Sequence, residues 1–266
     1  MGRRPALHLA AFAAMAAALS ACAFSDGGGK AIRESPVHGL ISLELIAAEA
    51  DGSLAVDGLG GSVDESDEGG GAAVLVDLLW PRWMLSFEGG SHLLSDGLDL
   101  SGGAVTIPDT ISRYRHDELF VGAALLTIDG PAAQQGADAP RPPPRFRLDA
   151  LAGARLNTVT IDDIEVGGFE VEEEREHWVD VLAGLRAEWR LSEWWSLRSR
   201  GDARVAGESD AAWSLRASVV YGPAPGWAIA AGWEARSVDF ESGSGPSLGR
   251  YDALLSGPFI AFELLF

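Results

Sequence analysis

The stretch Tyr251–Phe266, reading YDALLSGPFIAFELLF, decides how the rest of the chain is read. Apolar side chains stand at every second position: Pro258, Ile260, Phe262, Leu264 and Phe266. Side chains of a β-strand point alternately to opposite faces, so this spacing gives one apolar face and one mixed face carrying Glu263. A helix would scatter the same residues around its circumference. The sequence then stops on an aromatic ring.

A last strand of this kind is expected to close a lipid-embedded β-barrel, and composition agrees. The 266 residues are 47% hydrophobic, and the mean hydropathy of +0.09 is too low for a bundle of membrane helices. Beyond residue 25 no apolar run approaches the roughly 18 residues that a spanning helix needs. A barrel hides its apolar half in alternation, so near-zero hydropathy is compatible with a membrane protein. The net charge of −19 excludes nucleic acid as a partner, because phosphate binding needs a basic face.

The first residues read as an export signal over 1–22. Arg3 and Arg4 form a basic start, Leu7 to Leu19 an apolar segment, and Ser20 and Ala21 a small-residue end. The only cysteine, Cys22, ends Leu19-Ser20-Ala21-Cys22, which resembles a bacterial lipobox and makes Cys22 a candidate for lipidation. Ordinary cleavage after Ala23 also fits the small-x-small spacing. In either case a disulfide is excluded and stability must come from the sheet. Residues 23–36 are Gly-rich and polar and read as a flexible periplasmic tail, and 37–266 as the barrel.

About ten alternating segments follow, with eight or twelve the neighbouring counts, each near the 9–11 residues of a tilted membrane strand. They run over 39–48, 72–80, 83–92, 115–127, 146–156, 177–191, 194–206, 211–222, 227–239 and the closing 251–266. The fold class is therefore all-β: an antiparallel, up-and-down transmembrane barrel. Connections at 81–82, 192–193 and 223–226 are short, whereas 50–70, 94–111, 160–176 and 240–250 read as long loops, the usual barrel asymmetry. The Pro-rich linker 129–145 breaks that rule on the short side, and the tight hairpin at 207–210 breaks it on the other. Trp80, Trp83, Trp189, Trp194, Trp195, Tyr221 and Trp227 cluster beside the short turns and, with Phe266, are expected to form an interfacial girdle. Pro258 lacks an N–H, which marks a local break in the ladder, the place where a bulge would be least costly.

From His177 onward a further signal appears. Trp178-Val179-Asp180, Gly184-x-Arg186, Leu191-Ser192, Trp195-Ser196-Leu197 and Gly201-Asp202 are followed by Ser209-Asp210-x-x-Trp213, Gly232-Trp233, Tyr251-Asp252 and Ser256-Gly257-Pro258. In this order they resemble a family of uncharacterised bacterial outer-membrane β-barrel proteins, over about the last third of the chain. Val181 stands where that family usually has Pro, and Ala203-Arg204-Val205-Ala206 replaces a Gly-rich run. The resemblance implies the fold and the outer membrane of a Gram-negative-type bacterium, with no established activity.

Alternation sorts each strand into a lipid and a lumen face. The expected lumen charges are Glu44, Asp77, Glu88, Glu118, Arg147, Asp149, Arg155, Asp180, Arg186, Glu188, Arg190, Arg198, Arg200, Asp202, Arg204, Arg216, Glu234, Arg236 and Glu263. Acids dominate the early strands and arginines the later ones, so opposite walls are complementary. A ten-stranded barrel is narrow, and arginine forks bind carboxylates bidentately while staying charged when buried. The expected result is an ion-paired, largely closed lumen in a structural or interaction protein; the alternatives are a small diffusion channel or transport porin, and an outer-leaflet enzyme of the lipid A deacylase or omptin type.

No nucleophile–base–orienter set, zinc spacing or phosphate loop is legible, so no catalytic, cofactor-binding or metal residue is assigned. His116-Asp117 is the nearest approach to an acid–base pair, His92 is expected in the lumen beside Glu88, and His177 at the top of its strand. Excess negative charge collects in the loops, at Asp57, Asp64, Glu65, Asp67 and Glu68 and at Asp162, Asp163, Glu165, Glu170, Glu172, Glu173, Glu174 and Glu176. Divalent cations are candidate ligands there, although a solvated, self-repelling surface accounts for the same residues. The remaining expected partners are outer-membrane lipid, lipopolysaccharide and the barrel assembly machinery, which would engage the C-terminal strand.

Overall fold

The alternating runs become strands whose backbone groups bond only to neighbouring strands. The computed structural model describes residues 38–56, 62–99, 106–129, 144–162, 164–166, 169–171, 174–224, 226–241 and 248–266. The export signal, Cys22 and the tail 23–36 lie outside the described residues.

In chain order the strands are β1 (His38–Val56), β2 (Ser62–Leu79), β3 (Trp83–Asp99), β4 (Thr106–Ile128), β5 (Phe146–Asp162), β6 (Ile164–Val166), β7 (Phe169–Val171), β8 (Glu174–Arg190), β9 (Trp195–Gly207), β10 (Ala211–Ala224), β11 (Trp227–Glu241) and β12 (Leu248–Leu265). β6 and β7 form a separate two-stranded hairpin; the other ten make a closed barrel in the order β1-β12-β11-β10-β9-β8-β5-β4-β3-β2. Every pairing in it is antiparallel. Closure removes the free edges that an open sheet would expose.

The seam between β1 and β12 aligns Leu40 with Leu265 and Leu45 with Ile260. At its end Gly39 and Phe266 exchange backbone hydrogen bonds of 2.7 and 3.0 Å. The Phe266 ring fills the space that a Cβ at Gly39 would need. The pairing lapses between Ile46↔Phe259 and Glu49↔Ser256 and resumes in the same register, so Pro258 breaks the ladder without a bulge. The missing N–H removes bonds locally but adds no residue to the strand. Gly257 lets the backbone close onto the carbonyl of Ala47 at that break. True register shifts fall elsewhere, as at Val181/Leu182 and Ala124/Leu126.

The strands are longer than the 9–11 residues expected, from 13 in β9 to 23 in β4. Apolar alternation marks only the part that faces lipid; beyond it the alternation becomes irregular while the ladder continues. Much of 50–70 is therefore hairpin rather than loop, with Ser53 paired to Asp64 and Leu54 to Val63. The stretches 94–111, 160–176 and 240–250 are likewise partly strand. At about 3.3 Å per residue and a tilt near 40°, the 19-residue β1 rises roughly 45–50 Å, well above an apolar band of about 25 Å. Trp194, expected to open the seventh strand, sits in the turn just before β9.

The faces are inverted relative to a soluble protein. Leu43, Leu45, Phe87, Leu185, Leu215, Ile260 and Phe262 are exposed on the outside, while Glu44, Glu88, Glu118 and Arg155 are buried inside. Such a continuous apolar exterior has no counterpart on an ordinary monomer.

Candidate functional site: the charge-filled lumen

Because successive side chains alternate, each strand delivers every second residue into the lumen, where three layers can be distinguished. Nearest the short turns, Arg147 on β5 binds Asp149 at 2.8 Å and donates to the carbonyls of Trp80 and Trp83 at 2.8 and 3.3 Å. Arg186 reaches Asp77 at 2.6 Å, and Arg198 reaches Glu263 at 2.6 Å. Glu188 lies between these two arginines at 3.8 and 3.7 Å. Arg190 is half-buried at the turn end of β8, its N–H donating to the carbonyl of Arg145 at 2.8 Å.

The central layer holds nine of the expected lumen charges in one network. Glu118 accepts from Arg155 at 2.6 Å, from Arg236 at 2.8 Å, and from Arg200. Glu88 takes Arg200 and Arg236, each at 3.2 Å, and approaches Arg216 at 3.5 Å. Asp202 binds Arg155 at 2.9 Å and Arg200 at 3.2 Å, and accepts the Ser214 hydroxyl at 2.7 Å. Arg216 pairs with Glu44 across the barrel, and Glu234 binds Arg236 at 3.1 Å. Arg200 and Arg216 also lie flat over Phe120 and Phe259, each guanidinium 4.2 Å from the ring centroid. The aromatic rings pack the space left beneath the planar forks.

The third layer, on the side of the long strands, joins Asp180, expected in the lumen, to residues that alternation alone had not singled out. Tyr114 donates to Asn157 at 2.6 Å, and Asn157 donates to Asp180 at 2.9 Å. Ser209 donates its hydroxyl to the same carboxylate at 2.7 Å and accepts from Trp178 Nε1 at 2.7 Å. Trp178 stacks on Phe240 with centroids 4.2 Å apart, and Tyr251 lies beside Tyr114 at 6.2 Å. The hairpin 207–210 is thus tied inward by Ser209. Gly207 permits it with a φ of 135°, and a Cβ there would fall 2.6 Å from the Asp180 backbone. Arg204, expected in the lumen network, instead caps this hairpin: it donates to the carbonyls of Gly207 and Asp210 at 2.9 and 3.0 Å and stays 3.8 Å from Asp180. The bulge at Val181/Leu182 turns the end of β9 away from the axis. Trp178, Asp180 and Ser209 belong to the motif set of the chain's last third, and this cluster gives those letters a structural reason.

The girdle residues lie at the short-turn end. Trp80 and Trp83 stack at 3.5 Å, Trp195 meets Tyr221 at 4.6 Å, Trp227 lies 6.4 Å from Phe262, and Trp189, Trp194 and Phe266 are exposed. Trp213 and Trp233 are also exposed on the outside.

His116 and Asp117 do not pair, because neighbours in a strand face opposite ways. His116 points inward, with Nε2 3.3 Å from Glu88, while Asp117 binds Arg115 at 3.1 Å on the outside. His92 is buried beside His116 with centroids 5.7 Å apart, and His177 is exposed on the outer face. Glu88, His116 and Glu118 could each offer a ligand atom within 4.8 Å of the others. The arginines already on both carboxylates make the group a poor fit for a cation, since their positive charge opposes a metal in the same space. A cavity of about 60 Å³ between the lower and central layers, reached by Asp77, Arg186, Arg198, Arg216 and Glu263, has room for a few waters.

The fold and interior together define a transmembrane-type β-barrel with a charge-filled lumen. Solved structures with this fold include the outer membrane protease OmpT from Escherichia coli, with a TM-score of 0.57 and 12% identity over 87% of this chain and 97% of that one. The translocator domain of the autotransporter NalP from Neisseria meningitidis gives a TM-score of 0.45 at 13% identity, over 94% and 99% of the two chains. The outer membrane protein OprG from Pseudomonas aeruginosa gives 0.41 at 11% identity, over 88% and 97%. At 12% identity the likeness to the OmpT structure is one of fold alone. No family model matches the chain. No curated protein matches it either.

Proposed function

We propose that the protein resides in the outer membrane as a closed barrel with a structural or interaction role, and that its lumen is an ion-paired plug rather than a conduit. The observation that carries this reading is the cross-lumen network of Glu88 and Glu118 with Arg155, Arg200, Arg216 and Arg236. These side chains come from β3, β4, β5, β9, β10 and β11, so the network spans the lumen from wall to wall. An open pore would keep such arginines solvated on one wall; here Arg155 and Arg236 are buried, and Arg200 and Arg216 half-buried, against opposed carboxylates and aromatic rings. The apolar exterior, the aromatic rings at the short-turn end and the export signal support the location.

Single-channel recording of the full chain in planar bilayers tests the plug. The expected result is a silent bilayer, or rare brief openings. Stable conductance of general-porin size would overturn the reading and favour a diffusion channel. Fractionation of cell envelopes tests the location, with recovery in the inner membrane or the soluble fraction counting against it.

A further inference from the structure

Layer by layer, the lumen charges balance except at the centre. Nearest the short turns, Arg147, Arg186, Arg190 and Arg198 stand against four carboxylates, and in the third layer Asp180 has Arg204 at 3.8 Å. The central layer has five carboxylates, on Glu44, Glu88, Glu118, Asp202 and Glu234. Against them stand four arginines, Arg155, Arg200, Arg216 and Arg236. With its histidines neutral the layer carries a formal −1. None of these nine side chains is more than 15% exposed, so counterions from solvent do not offset that charge. A charge held out of water is costly until a partner or a proton neutralises it.

Geometry singles out where a proton would sit. Glu88 and Glu118 are cross-strand partners on β3 and β4, so two carboxylates share one face about 5 Å apart, an arrangement that repels when both are ionised. Glu118 is the firmly held member, with Arg155 at 2.6 Å and Arg236 at 2.8 Å. The arginines around Glu88 stand farther off, at 3.2, 3.2 and 3.5 Å. Glu234 is also loosely held, but it lies opposite Arg216 rather than another acid. Only Glu88 has a basic nitrogen beside it, His116 Nε2, 3.3 Å from Oε1. His92, next to His116, has no partner on either ring nitrogen, so an imidazolium there would strand two N–H groups. The remaining groups facing the contact are Arg155 from β5, Arg200 and Asp202 from β9, Arg216 from β10 and Glu234 and Arg236 from β11. Glu44 of β1 is held by Arg216, β2 brings only Gly71 and Ala73, and Tyr114 and Tyr251 stack nearby from β4 and β12. Asp180 of β8 is reached only through Asn157.

We propose that the central layer takes up one proton from solvent as the barrel folds, holds it at the contact between Glu88 Oε1 and His116 Nε2, and depends on it to keep the plug shut. A carboxyl donating to Nε2 and an imidazolium donating to Oε1 are two forms of the same charge state. A proton needs no coordination shell, so it fits where the surrounding arginines oppose a metal ion. When it leaves, Glu88 and Glu118 stand ionised side by side, the layer returns to −1 and the network loosens. The plug therefore opens toward alkaline pH. The gating rests on the plug reading above, whereas the proton site does not.

Refolding the full chain from urea into detergent micelles, in weak buffer with a pH-indicator dye, counts the protons taken up. Near about pH 6.5 an unfolded glutamate is ionised, so wild type is expected to take up about one proton more than Glu88→Gln, whose amide is neutral without one. Asp117→Asn, on the outer face, is expected to match wild type. By linkage, the folding constant of wild type relative to Glu88→Gln should fall about tenfold per unit of rising pH while the proton is held. Equal uptake by wild type and Glu88→Gln overturns the proposal, and so does a pH-independent ratio of their folding constants. Should Glu88→Gln fail to fold, planar-bilayer recording of wild type decides: silence near about pH 6 and frequent openings near about pH 9 are expected. A bilayer silent at both values sinks the proposal and leaves the plug. Porin-size conductance at both sinks the plug and the gating with it, and the proton count then decides the site alone.

Discussion

Replacing Arg236 with Met should unlock the central layer more than any other single change at the lumen. Arg236 is buried and touches three carboxylates: Glu118 at 2.8 Å, Glu234 at 3.1 Å and Glu88 at 3.2 Å. At an effective dielectric near 20, each contact is worth about 5 kcal/mol of Coulomb attraction before desolvation is subtracted. Most of that gross gain offsets the cost of taking the charges out of water. What a truncation reads is the surplus plus the penalty of stranding the partners, about 3–5 kcal/mol. Met keeps an unbranched stem as far as the Nε position, so the change removes the charge and its hydrogen bonds while retaining most of the packing along the stem. Glu88 and Glu118 keep Arg200, but Glu234 keeps only Arg216 at 3.8 Å. The double variant Arg236→Met with Glu234→Gln should therefore recover a large part of the loss. Urea unfolding of the barrel in lipid vesicles, followed by tryptophan fluorescence, measures both. With a slope near 2 kcal/mol/M, the single variant should lower the midpoint by roughly 2 M. A single variant within about 0.5 kcal/mol of wild type, the scale of an exposed surface pair, would refute the view that the network is a dry, tightly paired plug.

Ser209→Ala should free the hairpin 207–210 from the lumen, because Trp178 loses its acceptor and Asp180 loses a donor. The expected cost is about 1–3 kcal/mol, with faster limited proteolysis at the hairpin. Gly257→Ala would drive a Cβ into the Ala47 carbonyl at the seam, destabilising the closed barrel by at least about 1–3 kcal/mol and raising the unfolded fraction on heat-modifiability gels. Deleting Phe266 removes two backbone hydrogen bonds to Gly39 and the ring that covers it, and should lower the folded yield in the outer membrane. Normal yield would count against a role for that residue in closure.

Periodicity of two is a local property, so it separated Glu44 from Leu43 and Arg155 from Leu156 without any knowledge of neighbours. It lost the strands above the apolar band, where residues such as Ser53 and Asp64 interrupt the apolar alternation while the ladder continues. It overlooked Tyr114, Asn157 and Ser209, although the parity that placed Glu118 and Arg155 inward also places Tyr114 and Asn157 there. Ser209 carried no such signal, because it lies in a turn whose direction depends on the bulge in β9. His116-Asp117 looked like a pair only as adjacent letters; the same alternation, applied to that dipeptide, sends one side chain inward and the other out.

By itself, the sequence determined that Tyr251–Phe266 is the last of about ten strands, that its even-numbered residues from Pro258 face outward, and that arginines and carboxylates share the interior. These follow from strand geometry and from the cost of leaving charge against an apolar surround. Only the tertiary structure decided which charges meet. Arg216 and Glu44 are 172 residues apart, and Arg236 and Glu88 are 148 apart. Their contact depends on how far each strand is staggered and tilted when the sheet closes on itself. The side-by-side placement of Glu88 and Glu118 has the same origin. It exists because β3 and β4 pair these two residues, a register fixed by the ladder and invisible along the chain.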